Sequence, residues 1–222
     1  MYIKDQLHTI LKKLPASVHL IAVSKTKPIS AILEAYDAGQ RSFGENKIQE
    51  MASKYEALPK DIEWHMIGHL QSNKVKYMAH FVHLIHGVDS FKTLKEINKQ
   101  ALKHNRVINC LLQLKIAKED TKFGLSLTDV ENIIASEEFN DLKNIHIQGF
   151  MGMASFTDDT SIVRTEFRTL KNYFNTLKNY TTTNFNLSIL SMGMSSDYKI
   201  AIEEGSNMVR IGSSIFGERN YT

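Results

Sequence analysis

The sequence predicts an α/β protein in which eight parallel strands close into a (β/α)8 barrel, the TIM-barrel architecture. Two observations support this fold. Short apolar runs rich in β-branched residues alternate with longer stretches of helical periodicity, which is typical of parallel strands joined by crossover helices. Eight such units fill the chain from Val18 to Gly217, and roughly 25 residues per unit suits a compact barrel. A doubly wound open sheet is the structural alternative.

The first predicted element is a helix that precedes the barrel and ends at Pro15. Its apolar residues recur at helical spacing: Ile3, Leu7, Ile10, Leu11 and Leu14. The predicted strands follow at 18–24, 41–44, 63–67, 84–88, 107–114, 145–151, 187–191 and 208–211. Helices are predicted at 29–38, 47–58, 74–80, 91–104, 127–136, 161–178 and 197–204. We expect surface loops at 137–144 and 180–184, where the residues are mostly polar.

The composition indicates a globular protein, and we expect one domain over residues 1–222. Of the 222 residues, 42% are hydrophobic and 23% are charged, which excludes disorder of the bulk of the chain. A net charge of +3 is too small to favour a nucleic-acid partner. No apolar run approaches the roughly 18 residues of a membrane span, and the N-terminus lacks the pattern of a signal peptide.

Cysteine and histidine usage bounds the chemistry further. Cys110 is the single cysteine, which excludes an internal disulfide framework and a cysteine-based zinc cluster. It lies in an apolar run, so we expect it to be a small buried side chain in a cytoplasmic protein. The spacing of four histidines lacks the helical pair that zinc sites use, so we predict no metal site from them: His80, His83, His86 and His146.

The end of the first predicted strand carries a lysine. Lys25 follows the apolar run at 20–23, and the carboxyl ends of barrel strands are where active sites lie. Partial burial there would disfavour the charged ammonium, and a neutral amine is the nucleophile that forms a Schiff base with a carbonyl. The alternative is a solvated lysine at a strand end.

The last two predicted strands end in small, hydroxyl-rich turns. Strand seven runs into Ser191 and the SMGMSSD segment, and strand eight runs from Arg210 into Gly212 and Ser213. If strand eight continues, Arg210 faces the same side as Gly212 and Ser214. Barrels commonly bind phosphate in these two loops, although each could also be an ordinary turn. Aldehyde capture by the lysine and phosphate capture by the loops would together bind pyridoxal 5′-phosphate (PLP).

Seven segments, in this order, resemble the pyridoxal phosphate homeostasis proteins, the YggS/PROSC family. They are AVSKTKP at 22–28, FGEN at 43–46, WHMIGHLQSNK at 64–74, KFG at 122–124, GFMGM at 149–153, SMGMSSD at 191–197 and RIGSSIFG at 210–217. Each segment alone is weak. Together they cover nearly the whole chain and are highly specific.

The resemblance implies a fold-type III PLP-binding barrel like the barrel of bacterial alanine racemase. It implies an internal aldimine on Lys25, with Asn46 as a site residue behind strand two. It also implies phosphate contacts from Ser191 and from the Gly212-Ser213 turn. It also implies that Arg210 faces the pyridine nitrogen. Since arginine cannot accept a proton, it would keep that nitrogen unprotonated and weaken the ring as an electron sink.

The resemblance implies a PLP-binding protein of intracellular PLP homeostasis, without efficient catalysis of its own. Fold-type III racemases add a C-terminal β-domain that delivers a tyrosine as second base, and we expect no such domain after Gly217. Lys25 would supply one base, and a racemase needs a base on each face of the substrate carbon. We expect a monomer with PLP-dependent enzymes as clients. The alternatives are a racemase-like PLP enzyme and an aldolase-type Schiff-base enzyme.

For two histidines of the family segments, the sequence leaves alternative roles open. His65 is expected either in or beside the site or as a packed core histidine, whereas His69 is expected at the surface or in a hydrogen bond.

Overall fold

Eight parallel strands form a closed barrel in chain order, as the sequence predicts. The computed structural model describes residues 2–117 and 123–218. The strands are β1 (His19–Val23), β2 (Ser42–Glu45), β3 (Glu63–Met66), β4 (Leu84–Val88), β5 (Ile108–Gln113), β6 (Ile145–Met151), β7 (Phe185–Ser191) and β8 (Met208–Ile211). Pairing of β1 with β8, in which Ala22 aligns with Ile211, closes the barrel and excludes the open sheet.

Helices connect the strands and cover the outside of the barrel. They are α1 (Ile3–Leu11), α2 (Ile29–Asp37), α3 (Ile48–Ala57), α4 (Phe91–Lys103), α5 (Leu127–Ala135), α6 (Glu137–Asn140), α7 (Thr160–Leu177), α8 (Tyr198–Glu203) and α9 (Ser213–Phe216), with a 3-10 helix at Ser72–Tyr77. Helix α1 packs against α2 and α9, with Leu7 and Ile10 buried. Within the described residues, no helix has both the length and the apolar character needed to cross a bilayer.

Two local predictions were wrong, and a conditional one did not apply. The helix expected at 74–80 is the shorter 3-10 turn at Ser72–Tyr77. The loop expected from 137 contains α6, because the Ser136 side chain accepts a hydrogen bond from the backbone of Phe139, whose ring is fully buried. Strand β8 ends at Ile211, as predicted, and α9 begins at Ser213, so the shared face of Arg210, Gly212 and Ser214, which required a longer strand, does not apply.

The expected surface loop at 180–184 also has a buried end. The side-chain nitrogen of Asn184 donates to the backbone oxygens of Phe139 and Leu142, 2.8 and 3.2 Å away. Asn184 is buried, so this polar residue ties the loop before β7 to α6 rather than facing water.

The main core lies between the strands and the helices, and a smaller core fills part of the barrel interior. The interior cluster consists of Ile21, Leu84, Leu111, Met151 and Met208, with Met153 and Ile189 packed against it. Buried polar side chains share the interior with it, among them His65, His86, Ser191 and Arg210. Cys110 is fully buried, as predicted, and burial raises the pKa of its thiol. The polar interior links the two ends of the barrel.

Candidate functional site

A cavity of about 440 Å³ lies at the carboxyl end of the barrel. Its lining includes five of the six predicted site residues: Lys25, Asn46, Arg210, Gly212 and Ser213. These residues follow or belong to β1, β2 and β8, which are neighbours because the barrel closes between β8 and β1. Ring closure therefore brings together residues that are up to 188 positions apart in the sequence.

Ser191, the sixth predicted residue, lies beneath this cavity. Its side chain is fully buried at the end of β7. The Ser191 hydroxyl accepts a 2.7 Å hydrogen bond from Nη1 of Arg210, and it lies 3.0 Å from Nδ1 of His86. In this arrangement Ser191 positions the guanidinium, and the phosphate contact expected of it stays a prediction.

The turn that carries Lys25 is held on both sides. The Ser24 hydroxyl donates to Oε1 of Glu45 at 2.6 Å, and the Ser24 carbonyl accepts from Nζ of Lys54 at 2.8 Å. On the other side, Thr26 has a φ of 64°, which is unusual for a β-branched residue. Its backbone N–H donates to the Glu50 carboxylate at 2.6 Å, and this bond offsets the strain. The half-buried lysine between them is therefore aimed by its neighbours.

A buried ion cluster supplies these contacts. Nζ of Lys54 lies 2.8 Å from Glu45 and 2.7 Å from Glu50. Glu45 is fully buried, and burial raises the pKa of its carboxyl group to about 7, although Lys54 and Ser24 oppose the shift. Lysine and glutamate are rarely buried unless they are paired.

Lys27 also lines the cavity, but its ammonium group is engaged elsewhere. Nζ donates to the backbone oxygens of Phe216, Gly217 and Glu218 at 2.9, 3.0 and 2.9 Å. These carbonyls belong to the last residue of α9 and the two residues after it, so Lys27 ties this segment to the β1 turn. The three carbonyls hold the Lys27 ammonium away from the role of nucleophile, and Lys25 is the other lysine of the described cavity lining.

Arg210 forms part of the cavity wall from inside the barrel. Its Nη1 donates to the carbonyl oxygen of Ser191 at 2.8 Å and its Nη2 to that of Gly152 at 3.1 Å. Burial lowers the pKa of Arg210 to about 10, and the charge of Asp197 opposes this shift. The guanidinium therefore stays protonated at neutral pH, and its orientation is fixed by β6 and β7.

The loops after β7 and β8 contribute small residues to the cavity. Ser195 and Ser196 line it beside Gly212 and Ser213. The backbone N–H of Gly212 donates to the Ser195 hydroxyl at 3.2 Å, which joins the two loops. A Cβ atom at Gly212 would lie 3.1 Å from the Val23 carbonyl, so a side chain there would press on β1. This close approach is a physical reason for glycine.

These observations describe a site with a primary amine, a buried guanidinium and two hydroxyl-bearing loops, and comparisons with known proteins agree with it. A family model described as the alanine racemase N-terminal domain matches residues 2–220. The pyridoxal phosphate homeostasis protein of Aquifex aeolicus is 42% identical over 204 residues, covering 91% of this chain and 87% of that protein. The chain belongs to the pyridoxal phosphate homeostasis protein family.

Other members and solved structures extend this assignment. The pyridoxal phosphate homeostasis protein of Escherichia coli K12 is 36% identical over 212 residues, covering 94% of this chain and 88% of that one. PipY of Synechococcus elongatus is 34% identical and covers 97% of this chain and 100% of its own, with TM-scores of 0.90 without PLP and 0.87 with PLP bound. The E. faecalis alanine racemase, 15% identical, has a TM-score of 0.77 over 98% of this chain and 58% of its own. That likeness confirms the fold.

The two histidines left open by the sequence separate in the structure. His65 is buried in the barrel interior, with Nδ1 3.0 Å from Nε2 of His86. Burial lowers the pKa of both rings well below its usual value. His69 is exposed, as predicted, with Nδ1 3.0 Å from the Asp89 carboxylate and its ring stacked on Phe123. Lys122 of the KFG segment lies outside the described residues.

Two parts of this site were not predicted from the sequence. The ion cluster of Lys54, Glu45 and Glu50 was not predicted, although the i,i+4 spacing of Glu50 and Lys54 in a helix was a usable signal. The apolar rim of Met153 and Phe156 was also missed. Phe156 is 91% exposed, and no local pattern distinguishes such a residue from any other loop aromatic.

Proposed function

We propose that this chain binds PLP in the cavity at the carboxyl end of the barrel and acts in PLP homeostasis as a carrier rather than an efficient enzyme. One observation supports this most: the cavity combines Lys25, the buried Arg210 and the serine–glycine loops. Relatives at 36–42% identity are named pyridoxal phosphate homeostasis proteins, and one PipY structure holds PLP.

The donor set fits each functional group of PLP. The Nζ atom of Lys25 is the nucleophile for the aldehyde carbon, and the bond forms with loss of one water molecule. The hydroxyls of Ser195, Ser196 and Ser213 suit the phosphate oxygens. The guanidinium of Arg210 suits an unprotonated ring nitrogen, because it offers only donors. When bound, PLP supplies an electron sink, which this nitrogen partner weakens.

The titratable groups of the cavity support a carrier. Among the described lining residues they are Lys25, Lys27 and Arg210, and no tyrosine is present. Lys27 is bound by three carbonyls, and Arg210 is protonated at neutral pH. Lys25 is therefore the one candidate base, whereas racemisation needs bases on both faces of the substrate carbon.

The proposal also covers the cellular location, the client enzymes and the oligomeric state of the protein. We infer that the protein works in the cytoplasm and passes PLP to PLP-dependent client enzymes, since the single cysteine is buried and no disulfide is needed. The monomeric state expected from the sequence stays a prediction, to be checked by light scattering.

The test is a spectroscopic comparison of three proteins. The purified wild type, supplied with PLP, is expected to show a visible absorption band that borohydride removes, leaving a pyridoxyl adduct on the peptide containing Lys25. Lys25→Ala should lose the adduct but keep weaker, dialysable binding through the loops. Lys27→Met is the matched control and should keep the adduct on Lys25.

Two results would contradict the proposal. A wild type that takes up no PLP would remove the cofactor. Robust alanine racemisation that disappears in Lys25→Ala would replace the carrier with an enzyme. An adduct that persists in Lys25→Ala would instead move the covalent bond to another lysine.

A further inference from the structure

A second cluster of polar side chains lies at the opposite, amino end of the barrel. His19 is the first residue of β1, Glu63 is the first residue of β3, and His65 follows two residues later on β3. One donor atom from each of these residues lies within 4.8 Å of the other two. Parallel pairing through β2 brings them together, because the amino ends of all strands meet at the same end of the barrel.

The exposed part of this cluster is already organised by Ser42, the first residue of β2. The Ser42 hydroxyl donates to Oε2 of Glu63 at 2.6 Å and lies 2.8 Å from Nε2 of His19. This serine therefore holds the imidazole and the carboxylate in a fixed relation. His19 is exposed and Glu63 is half-buried, so an ion could enter from solvent on this side.

The buried part of the cluster contains an unpartnered nitrogen. His65 is 1% exposed, and its Nε2 atom has no hydrogen-bond partner in the structure. Its other nitrogen, Nδ1, is held 3.0 Å from His86. A buried polar atom without a partner is costly, and because Nδ1 is engaged by His86, Nε2 is the nitrogen of His65 that remains available to a ligand.

We propose that His19, Glu63 and His65 bind a divalent transition-metal ion, with Zn²⁺ as the best-matched chemistry. Two imidazoles and one carboxylate are a common zinc ligand set that leaves a fourth position open. Metal-binding histidines usually have their second nitrogen in a hydrogen bond, as His65 has with His86. The nitrogen-rich donor set disfavours Mg²⁺ and Ca²⁺, which prefer oxygen ligands.

His83 is the candidate for the fourth position. It directly precedes β4, its side chain is exposed, and its ring centroid lies 5.3 Å from that of His65. Rotation of this side chain toward the other donors, or a water molecule, would complete a tetrahedron. Spacing along the chain does not predict this cluster, because its donors come from two strands, β1 and β3.

Metal binding would determine which ring nitrogens of His65 and His86 carry a proton. An ion on Nε2 of His65 requires that Nδ1 carries the ring proton and donates to Nε2 of His86. His86 must then carry its proton on Nδ1 and donate to the Ser191 hydroxyl, which also accepts from Arg210. Without the ion, the opposite arrangement of protons is equally compatible with these contacts. The amino-end site is therefore coupled to the wall of the PLP cavity.

The experiment is calorimetric titration of Zn²⁺ into tag-free protein freed of metal and PLP. The wild type is expected to bind one Zn²⁺ per chain much more tightly than Mg²⁺. His19→Ala and Glu63→Gln should each weaken binding at least tenfold, because each removes one of three protein ligands. His146→Ala, a half-buried histidine on β6 outside the cluster, is the matched control and should bind like wild type.

Two further readouts separate a metal site from a merely structural cluster. Zn²⁺ should raise the melting temperature of the wild type and of His146→Ala, but not that of His19→Ala. Imidazole ¹⁵N shifts should report the proton of His86 on Nδ1 after Zn²⁺ is added. If Glu63→Gln fails to fold, the exposed His19→Ala variant decides the question.

Three outcomes would overturn the proposal. The wild type could bind Zn²⁺ no more tightly than Mg²⁺. Both ligand variants could bind Zn²⁺ as tightly as the wild type. His146→Ala could lose as much affinity as His19→Ala, which would place the ion elsewhere. PLP binding by the wild type tests the cavity separately, so failure of one proposal leaves the other standing.

Discussion

The two ends of this barrel use polar residues in opposite ways. At the carboxyl end, the buried charges are paired with backbone or with one another: Arg210 with two carbonyls, and Lys54 with Glu45 and Glu50. At the amino end, polar side chains bind other polar side chains, and Nε2 of His65 is left without a partner. The first arrangement fixes a loop and a wall, and its one unpartnered oxygen, Oε2 of Glu45, belongs to a carboxyl group already held through Oε1. The second leaves open the ring nitrogen of His65 that His86 does not engage.

The comparison shows that polar side chains inside the barrel connect two ends with different structures. The carboxyl end places its loops around a cavity, and residues beneath the cavity hold those loops in position. A continuous chain of hydrogen bonds connects the two ends through His65, His86, Ser191 and Arg210. A change at either end can therefore be tested for its effect at the other.

The largest expected effect comes from breaking the ion cluster that supports the Lys25 turn. Lys54→Met should lower the free energy of unfolding by about 3–5 kcal/mol at pH 8, because it leaves the Glu45 carboxylate buried without its partner. Lys60→Met, which removes an exposed pair with Glu56, should cost about 1 kcal/mol or less. Urea unfolding of both variants gives the comparison. Equal losses would show that burial of Lys54 contributes nothing.

The pH dependence of stability tests the buried Glu45 carboxyl group of the same ion cluster. The pKa of Glu45 is raised to about 7 by burial, so the folded protein binds this proton more tightly than the unfolded chain does. The stability from this group is complete below pH ~4.5 and is lost as the pH rises through about 7, by at most about 3–4 kcal/mol at ~1.4 kcal/mol per pKa unit. Urea midpoints of wild type and Glu45→Gln between pH 4.5 and 8 check this. Parallel profiles would contradict the raised pKa.

Replacing Arg210 tests whether the charged guanidinium in the cavity wall contributes to PLP binding. Arg210→Ala should weaken PLP binding by about 2 kcal/mol, roughly 30-fold, because it removes charge-assisted hydrogen bonds. The barrel should stay folded, since its strand pairing does not depend on this side chain. Fluorescence titration with PLP and a circular dichroism melt measure both. Loss of cooperative unfolding would make Arg210 structural.

The smallest expected effect concerns the last loop. Ser213→Ala removes one hydroxyl from the cavity lining and should weaken PLP binding by about 1 kcal/mol, the usual contribution of one hydrogen bond. Ser214→Ala is the matched control, because Ser214 is next in sequence and does not line the cavity. Its affinity for PLP should be unchanged. If the two variants behave alike, the phosphate does not depend on the Ser213 hydroxyl.

The sequence by itself determined the number, order and type of the strands. Each of the eight predicted strands is present with boundaries shifted by a few residues at most, because apolar runs and their flanking turns are local features. It also placed Lys25, Asn46, Arg210, Gly212 and Ser213 at one end, since parallel strands present their carboxyl ends together.

Only the tertiary structure decided which of these residues meet and what holds them. Ser191 lies beneath the cavity rather than in its lining, because Arg210 on β8 reaches it from the neighbouring strand. The Lys54–Glu45 pair and the His19–Glu63–His65 cluster depend on strand register and on the packing of α3 against the barrel. The first contact joins α3 to β2 and the second joins β1 to β3, so periodicity within a single element carries no signal for them.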